Sequence, residues 1–347
     1  MIISIQWSAM DGLVGHENVF TILERTVREG RPAHAYLFSG LEGIGKKKAA
    51  VKFACLLNCH DPAADHDGTC PVCRRIVGET HPDFSIEKPE RGMIRIDRVR
   101  FLQNYFRYAP VEANWRVTLI DDAHLMNRAA QNAILKTLEE PPPQRMIILV
   151  TAKPYLLLST VRSRCRRVRF RPIPTATLAD FLQSKKGLSA EKAWILAAMG
   201  FGSVSRSLEM DNPSFSHLRE LVISVLSDPG LKGISGIFEL SSLISADRNK
   251  AGEAIQIAST WIRDLLQEKI VCDSQTIIHR DYAERISDVA RHYTIEHLFQ
   301  VYEELTRSSL LVESDINVNR NLVMDVMLLR IARILIGSNF GISQVEA

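Results

Sequence analysis

Short runs of consecutive apolar residues alternate with helical patterns through the first half of the chain. Ala35–Ser39 (AYLFS), Phe84–Glu87 (FSIE), Val117–Ile120 (VTLI) and Met146–Thr151 (MIILVT) predict buried strands, and Val168–Phe170 predicts a fifth. Runs that are apolar throughout belong to strands covered on both faces, so a parallel sheet between helical layers is expected. Between the last two long runs a helix is predicted from about Asn127 to Glu140. Asn127 can accept a bond from a free amide of the first turn, and Ala130, Ile134 and Leu138 recur every four residues. Pro141, Pro142 and Pro143 end it, because proline lacks the donor amide and restricts the residue before it. Beyond Pro172 and Pro174 the strand-like runs fade. Leu178–Gln183 and Ala190–Ala198 predict small helices, and Ile255–Lys269 and Ile295–Leu305 have amphipathic spacing. The expected organisation is an α/β domain over 1–172, a small helical lid over 173–211 and a helical domain over 212–347.

Composition adds limits more than identity. The 347 residues are 46% hydrophobic and 24% charged, with a net charge of +3, which is too small to name a partner. Distribution says more. From Pro141 to Ala179 there is no Asp or Glu, yet Arg145, Lys153, Arg162, Arg164, Arg166, Arg167, Arg169 and Arg171 fall there, a patch suited to a polyanion or a neighbour's phosphate. No apolar run has the length of a membrane span, and Asp11, His16 and Glu17 interrupt any signal-peptide pattern, so a cytoplasmic location is expected. In a reducing compartment, clustered cysteines suggest metal before disulfide.

Three groups of residues carry candidate chemistry. Gly40-Leu41-Glu42-Gly43-Ile44-Gly45-Lys46-Lys47 follows the AYLFS strand and nearly fits the phosphate-loop pattern G-x-x-x-x-G-K-[ST]. Its glycines let backbone amides wrap a phosphate, the next helix adds a favourable N-terminus, and Lys46 reaches the β/γ-phosphates. Lys47 stands where a hydroxyl would ligate Mg²⁺, so the loop's shape is expected to survive without its magnesium chemistry; ATP or ADP binding stays open. Asp121 and Asp122 end the VTLI strand, where one acid orients magnesium and the next polarises water. Asp122 is a shorter acid than the usual glutamate and should be a poorer base. Cys59, Cys70 and Cys73 lie in a polar stretch at about 59–73, and the C-x-x-C knuckle at 70–73 suits one tetrahedral Zn²⁺. The fourth ligand is open among Asp67, His66 and His60. A redox C-x-x-C, which usually begins a helix just after a strand, is the less favoured reading. Cys55 and Cys272 are expected in the core.

Together these residues resemble the AAA+ (P-loop NTPase-like) clamp-loader subunits of bacterial DNA polymerase III. The likeness rests on His34–Gly40 running into the glycine loop, on Asp121-Asp122-Ala123-His124, on Asn132–Pro142, on Ser163-Arg164-Cys165 and on His81-Pro82-Asp83. It covers roughly residues 13–171. The resemblance implies a hetero-pentamer of gamma/tau, delta and delta-prime type subunits that places a sliding clamp on primed DNA, with the C-terminal helices as a collar for assembly. It implies that Val14 and Gly15 border an adenine pocket, that Thr151 lies in the sensor 1 region and Arg206 near sensor 2. Arg164 is implied as an arginine finger acting on a neighbour's ATP. Motor subunits keep the hydroxyl after the loop lysine, a fourth cysteine and a glutamate at the strand end. Lys47, Asp67 and Asp122 depart from that pattern and resemble the delta-prime type, with little or no ATPase activity of its own. Two other readings compete: a hydrolysing motor subunit, and a zinc-containing DNA-binding module with a vestigial nucleotide fold.

Overall fold

The computed structural model describes residues 13–59, 70–228, 239–241, 243–244, 250–271, 277–313 and 320–339. The first part runs α1 (Glu17–Arg28), β1 (Ala35–Ser39), α2 (Lys46–Asn58), α3 (Pro71–Val77), β2 (Phe84–Glu87), α4 (Ile96–Arg107), β3 (Arg116–Ile120), α5 (Arg128–Glu139), β4 (Arg145–Thr151), α6 (Ser159–Ser163), β5 (Arg166–Arg169) and α7 (Thr175–Lys186). The strands form one parallel sheet in the order β2-β3-β4-β1-β5.

Alternation sorts the strand side chains between two cores. Tyr36 and Phe38 of β1 and Ile148 and Val150 of β4 pack with Leu23 of α1 and Phe53 of α2. Ala35, Leu37, Ile147 and Leu149 face the other way, against Val99 and Leu102 of α4 and Ile134 and Leu138 of α5. Every residue of β3 and β4 is buried, the polar Arg116, Thr118, Arg145 and Thr151 included, as in a strand covered on both faces. The Asn127 side chain accepts from the Ala130 amide at 2.8 Å and caps α5. One buried ion pair anchors the loop before β3. The Asp83 carboxylate accepts from Arg116 at 2.7 Å and from the amides of Val111, Glu112 and Ala113. Arg116 also lies 4.3 Å from the centre of the Tyr105 ring.

The chain divides into two compact units, one running through Phe181 and including Phe201–Ser205, the other comprising Leu182–Gly200 and the chain from Arg206 onward. The span 173–211 is therefore shared between them. In the second unit the helix Lys250–Ile270 packs against Pro213–Ser227, Ala283–His292 and Ile295–Glu313, burying Trp261 and Leu265. Among the described residues no helix is long and apolar enough to cross a membrane.

Candidate functional site: a phosphate loop with a lysine at the magnesium position

The loop between β1 and α2 needs its glycines. Gly43 and Gly45 have φ of 72° and 99°, a region that residues with a Cβ rarely adopt. Gly43 is also crowded: a Cβ there would lie 2.4 Å from Ser203 Oγ, and the Ser205 amide donates to the Gly43 carbonyl at 3.2 Å. Gly45 caps α2, whose first turn holds no acid and begins with Lys46 and Lys47. Lys46 is buried, and its Nζ donates to the Leu41 carbonyl at 2.5 Å. Burial lowers its pKa, against the pull of Asp122, Glu42 and Asp121.

Lys47 points to the acidic strand end. Its Nζ lies 3.0 Å from Asp121 Oδ2, directly after β3. The ammonium thus covers the carboxylate that would hold a magnesium ion. Asp122 takes a left-handed conformation, φ 46° and ψ 48°, which aspartate tolerates better than most residues. Burial, followed by the nearby Asp121 charge, raises the Asp122 pKa. Thr151, at the end of β4, accepts from the Lys153 amide at 3.0 Å and pairs with His124 Nδ1 at 3.2 Å. His124 has its pKa lowered chiefly by burial.

Val14 and Gly15 are half-buried, and the Gly15 amide donates to Glu17 at 3.2 Å. Sequence reasoning gave no role to His16. It is buried, its Nε2 bonds the Ile44 carbonyl at 2.8 Å, and its ring meets Phe170 edge-on at 5.0 Å. The only signal was its place directly after Val14 and Gly15. The segment before α1, the loop and the end of β5 are joined by these contacts.

Arg164 follows α6. Its guanidinium pairs with Glu139 of α5 at 2.8 Å and donates to the Thr160 carbonyl at 3.0 Å, while the head stays partly exposed. The neighbouring Cys165 is buried, which pushes its thiol up to about 12. Arg206 belongs to the second unit, where its guanidinium bonds the Gln256 side chain.

Cys59, Cys70 and Cys73 converge, with their sulfurs within 4.8 Å of one another and Cys59 and Cys70 3.6 Å apart. Zinc–sulfur bonds of about 2.3 Å in a tetrahedron set sulfurs about 3.8 Å apart, so the three fit one Zn²⁺. Asp67, His66 and His60 lie outside the described residues, as does Cys272. The C-x-x-C opens a helix. Cys70 caps α3, with its sulfur accepting from the Cys73 amide at 3.2 Å. Cys55 is a buried core residue beside this group.

A parallel sheet with a glycine loop after β1 and paired acids after β3 defines a P-loop fold of the AAA+ class. The same fold is found in a solved DNA polymerase III gamma subunit-related protein from Thermotoga maritima, with a TM-score of 0.50, 19% identity, and 91% of this chain and 99% of that one covered. Residues 15–174 match the family described as DNA polymerase III, delta subunit, and residues 215–333 match its C-terminal family. DNA polymerase III subunit delta′ of Bacillus subtilis is 32% identical over 223 residues, covering 64% of this chain and 67% of that one. Subunit tau of the same organism is 34% identical over 169 residues, 48% of this chain and 30% of its own length. The chain belongs to the DNA polymerase III clamp-loader subunit family. It spans two thirds of the delta′ relative and less than a third of tau.

Proposed function

We propose that this chain is a delta-prime-type subunit of the clamp loader: it assembles with gamma/tau and delta type subunits in a hetero-pentamer, serves the loading of a sliding clamp on primed DNA, and hydrolyses little or no ATP itself. The observation that carries this reading is the Lys47–Asp121 pair at 3.0 Å. A metal-assisted phosphoryl transfer needs Asp121 free to position the ion, and a hydroxyl beside the loop lysine to complete its shell. Here a fixed cation takes that place. It contributes one positive charge where magnesium would bring two, and it cannot bridge two phosphates as an ion does. ADP or ATP can still be held by the loop amides and Lys46.

Arg164 serves in trans in this account. An arginine reaching a neighbour's γ-phosphate stabilises charge developing in the transition state. Its guanidinium must first leave Glu139 and Thr160, a partly exposed contact worth only about 1 kcal/mol. Zinc at Cys59, Cys70 and Cys73, with a fourth ligand from Asp67, His66 or His60, would tie the end of α2 to the start of α3, a structural role without chemistry of its own.

Hydrolysis assays test the reading: the chain alone is expected to be inactive, and a mixture with a motor subunit is expected to lose rate with Arg164→Ala. A magnesium-dependent turnover by the chain alone, comparable to a motor subunit's, would favour the motor reading instead.

A further inference from the structure

We infer that the exposed edge of the sheet, strand β5, is a track for the phosphate backbone of a nucleic acid. Among the described residues β5 pairs with β1 alone and forms an edge of the sheet. Register with β1 sets Arg167 beside Leu37 and Arg169 beside Ser39, on one face, while Val168 and Phe170 turn to the other. Arg171 follows two residues on. Arg167, Arg169 and Arg171 are all exposed, and none is held in an ion pair among the described residues. A parallel strand rises about 3.3 Å per residue, so alternate arginines recur about every 6.6 Å. That spacing lets each guanidinium take its own phosphate along a strand. The row ends beside the phosphate loop, where the Phe170 amide donates to the Ser39 carbonyl at 2.7 Å.

Charge on an edge strand also blocks edge-to-edge pairing. One or two lysines or arginines of any spacing would serve that purpose. Four exposed arginines in four consecutive non-apolar positions, 166, 167, 169 and 171, with no acid from Pro141 to Ala179, go further than protection requires. A regular row of unpaired cations with no acid near it in sequence complements a regular polyanion. It does not fit an acidic protein surface as well, whose charges are irregular. The inference stands on the sheet edge alone and holds whether or not Arg164 acts in trans.

The test is fluorescence anisotropy of a labelled DNA duplex of mixed sequence, titrated with the full chain at several salt concentrations. Arg167→Gln/Arg169→Gln/Arg171→Gln is compared with a control that removes equal charge elsewhere, Arg31→Gln/Arg107→Gln/Arg291→Gln. The edge variant is expected to bind at least tenfold more weakly and to lose about 2.7 from the slope of log affinity against log salt, since each phosphate contact contributes about 0.9. The corresponding triple lysine variant should bind nearly as the parent does, which guards against a folding defect. Three results would overturn the inference: equal losses in the edge variant and the control, unchanged binding with new self-association of the edge variant, or preference of the parent for polyglutamate over the duplex.

Discussion

Lys47 decides how the phosphate loop reads. The motif by itself exposed the missing hydroxyl; only the fold reveals that the lysine reaches across to Asp121. Lys47→Thr should free that carboxylate and restore a metal ligand. Mn²⁺ binding in the presence of ADP, followed by electron paramagnetic resonance, is expected to tighten at least tenfold in this variant, and no change would mean Lys47 is not what keeps the ion out. Hydrolysis should stay slow, because Asp122 remains a short acid in a left-handed turn.

Asp83 makes a prediction about stability. Burial by itself would raise its pKa, but the amides of Glu112, Val111 and Ala113 and the Arg116 side chain outweigh that and hold it at about 2, against an ordinary 3.8. A depressed carboxylate pKa contributes stability above the unfolded value, and that contribution is lost as pH falls from about 4 to about 2. The shift corresponds to about 2 kcal/mol. Asp83→Asn should therefore lower the urea midpoint at pH 7 and flatten the loss of stability between pH 4 and 2. An unchanged acid profile would contradict this assignment. The sequence drew attention to His81-Pro82-Asp83, but the three amides that Asp83 collects lie about thirty residues away, a contact no local pattern encodes.

Elements with long apolar runs were legible in the chain, and narrow ones were not. All five strands lie within two residues of the runs that predict them, and α5 begins at its asparagine cap. Helices α1 and α4 were passed over. Each buries only three side chains, Phe20, Leu23 and Thr26 in one and Val99, Leu102 and Phe106 in the other, on a thin stripe amid charged residues. Asn127→Ala removes the bond that caps α5 and should cost about 1 kcal/mol, read as a lower thermal midpoint; an unchanged midpoint would show the cap to be idle.

The junction of α2 and α3 makes a separate prediction. The protein purified from zinc-replete medium is expected to carry one Zn²⁺ per chain by atomic emission, and Cys73→Ser to lose it together with part of the thermal stability. A zinc-free parent would remove the metal from the account. The knuckle spacing was enough to propose Cys70 and Cys73 as a pair; that Cys59 meets them required the end of α2 to pack against α3.

At the scale of the whole molecule, the chain divides into two compact units: α8 (Ala190–Met199) falls with the C-terminal helices, while Phe201–Ser205 returns to the phosphate loop. The proline pair at 172 and 174 marked a change of composition, and sequence alone could not tell which neighbours the short helices would choose. The family was legible from the combination of loop, acidic strand end and Ser163-Arg164-Cys165, none of which identifies it singly. The central claim is that this subunit assists hydrolysis without performing it. ATP turnover by the purified chain, alone and mixed with a motor subunit, tests it most directly. The account predicts negligible turnover alone, and a mixture whose rate falls at least tenfold when Arg164→Ala replaces the parent chain. Magnesium-dependent turnover by the chain alone, with a mixture indifferent to Arg164→Ala, would contradict it.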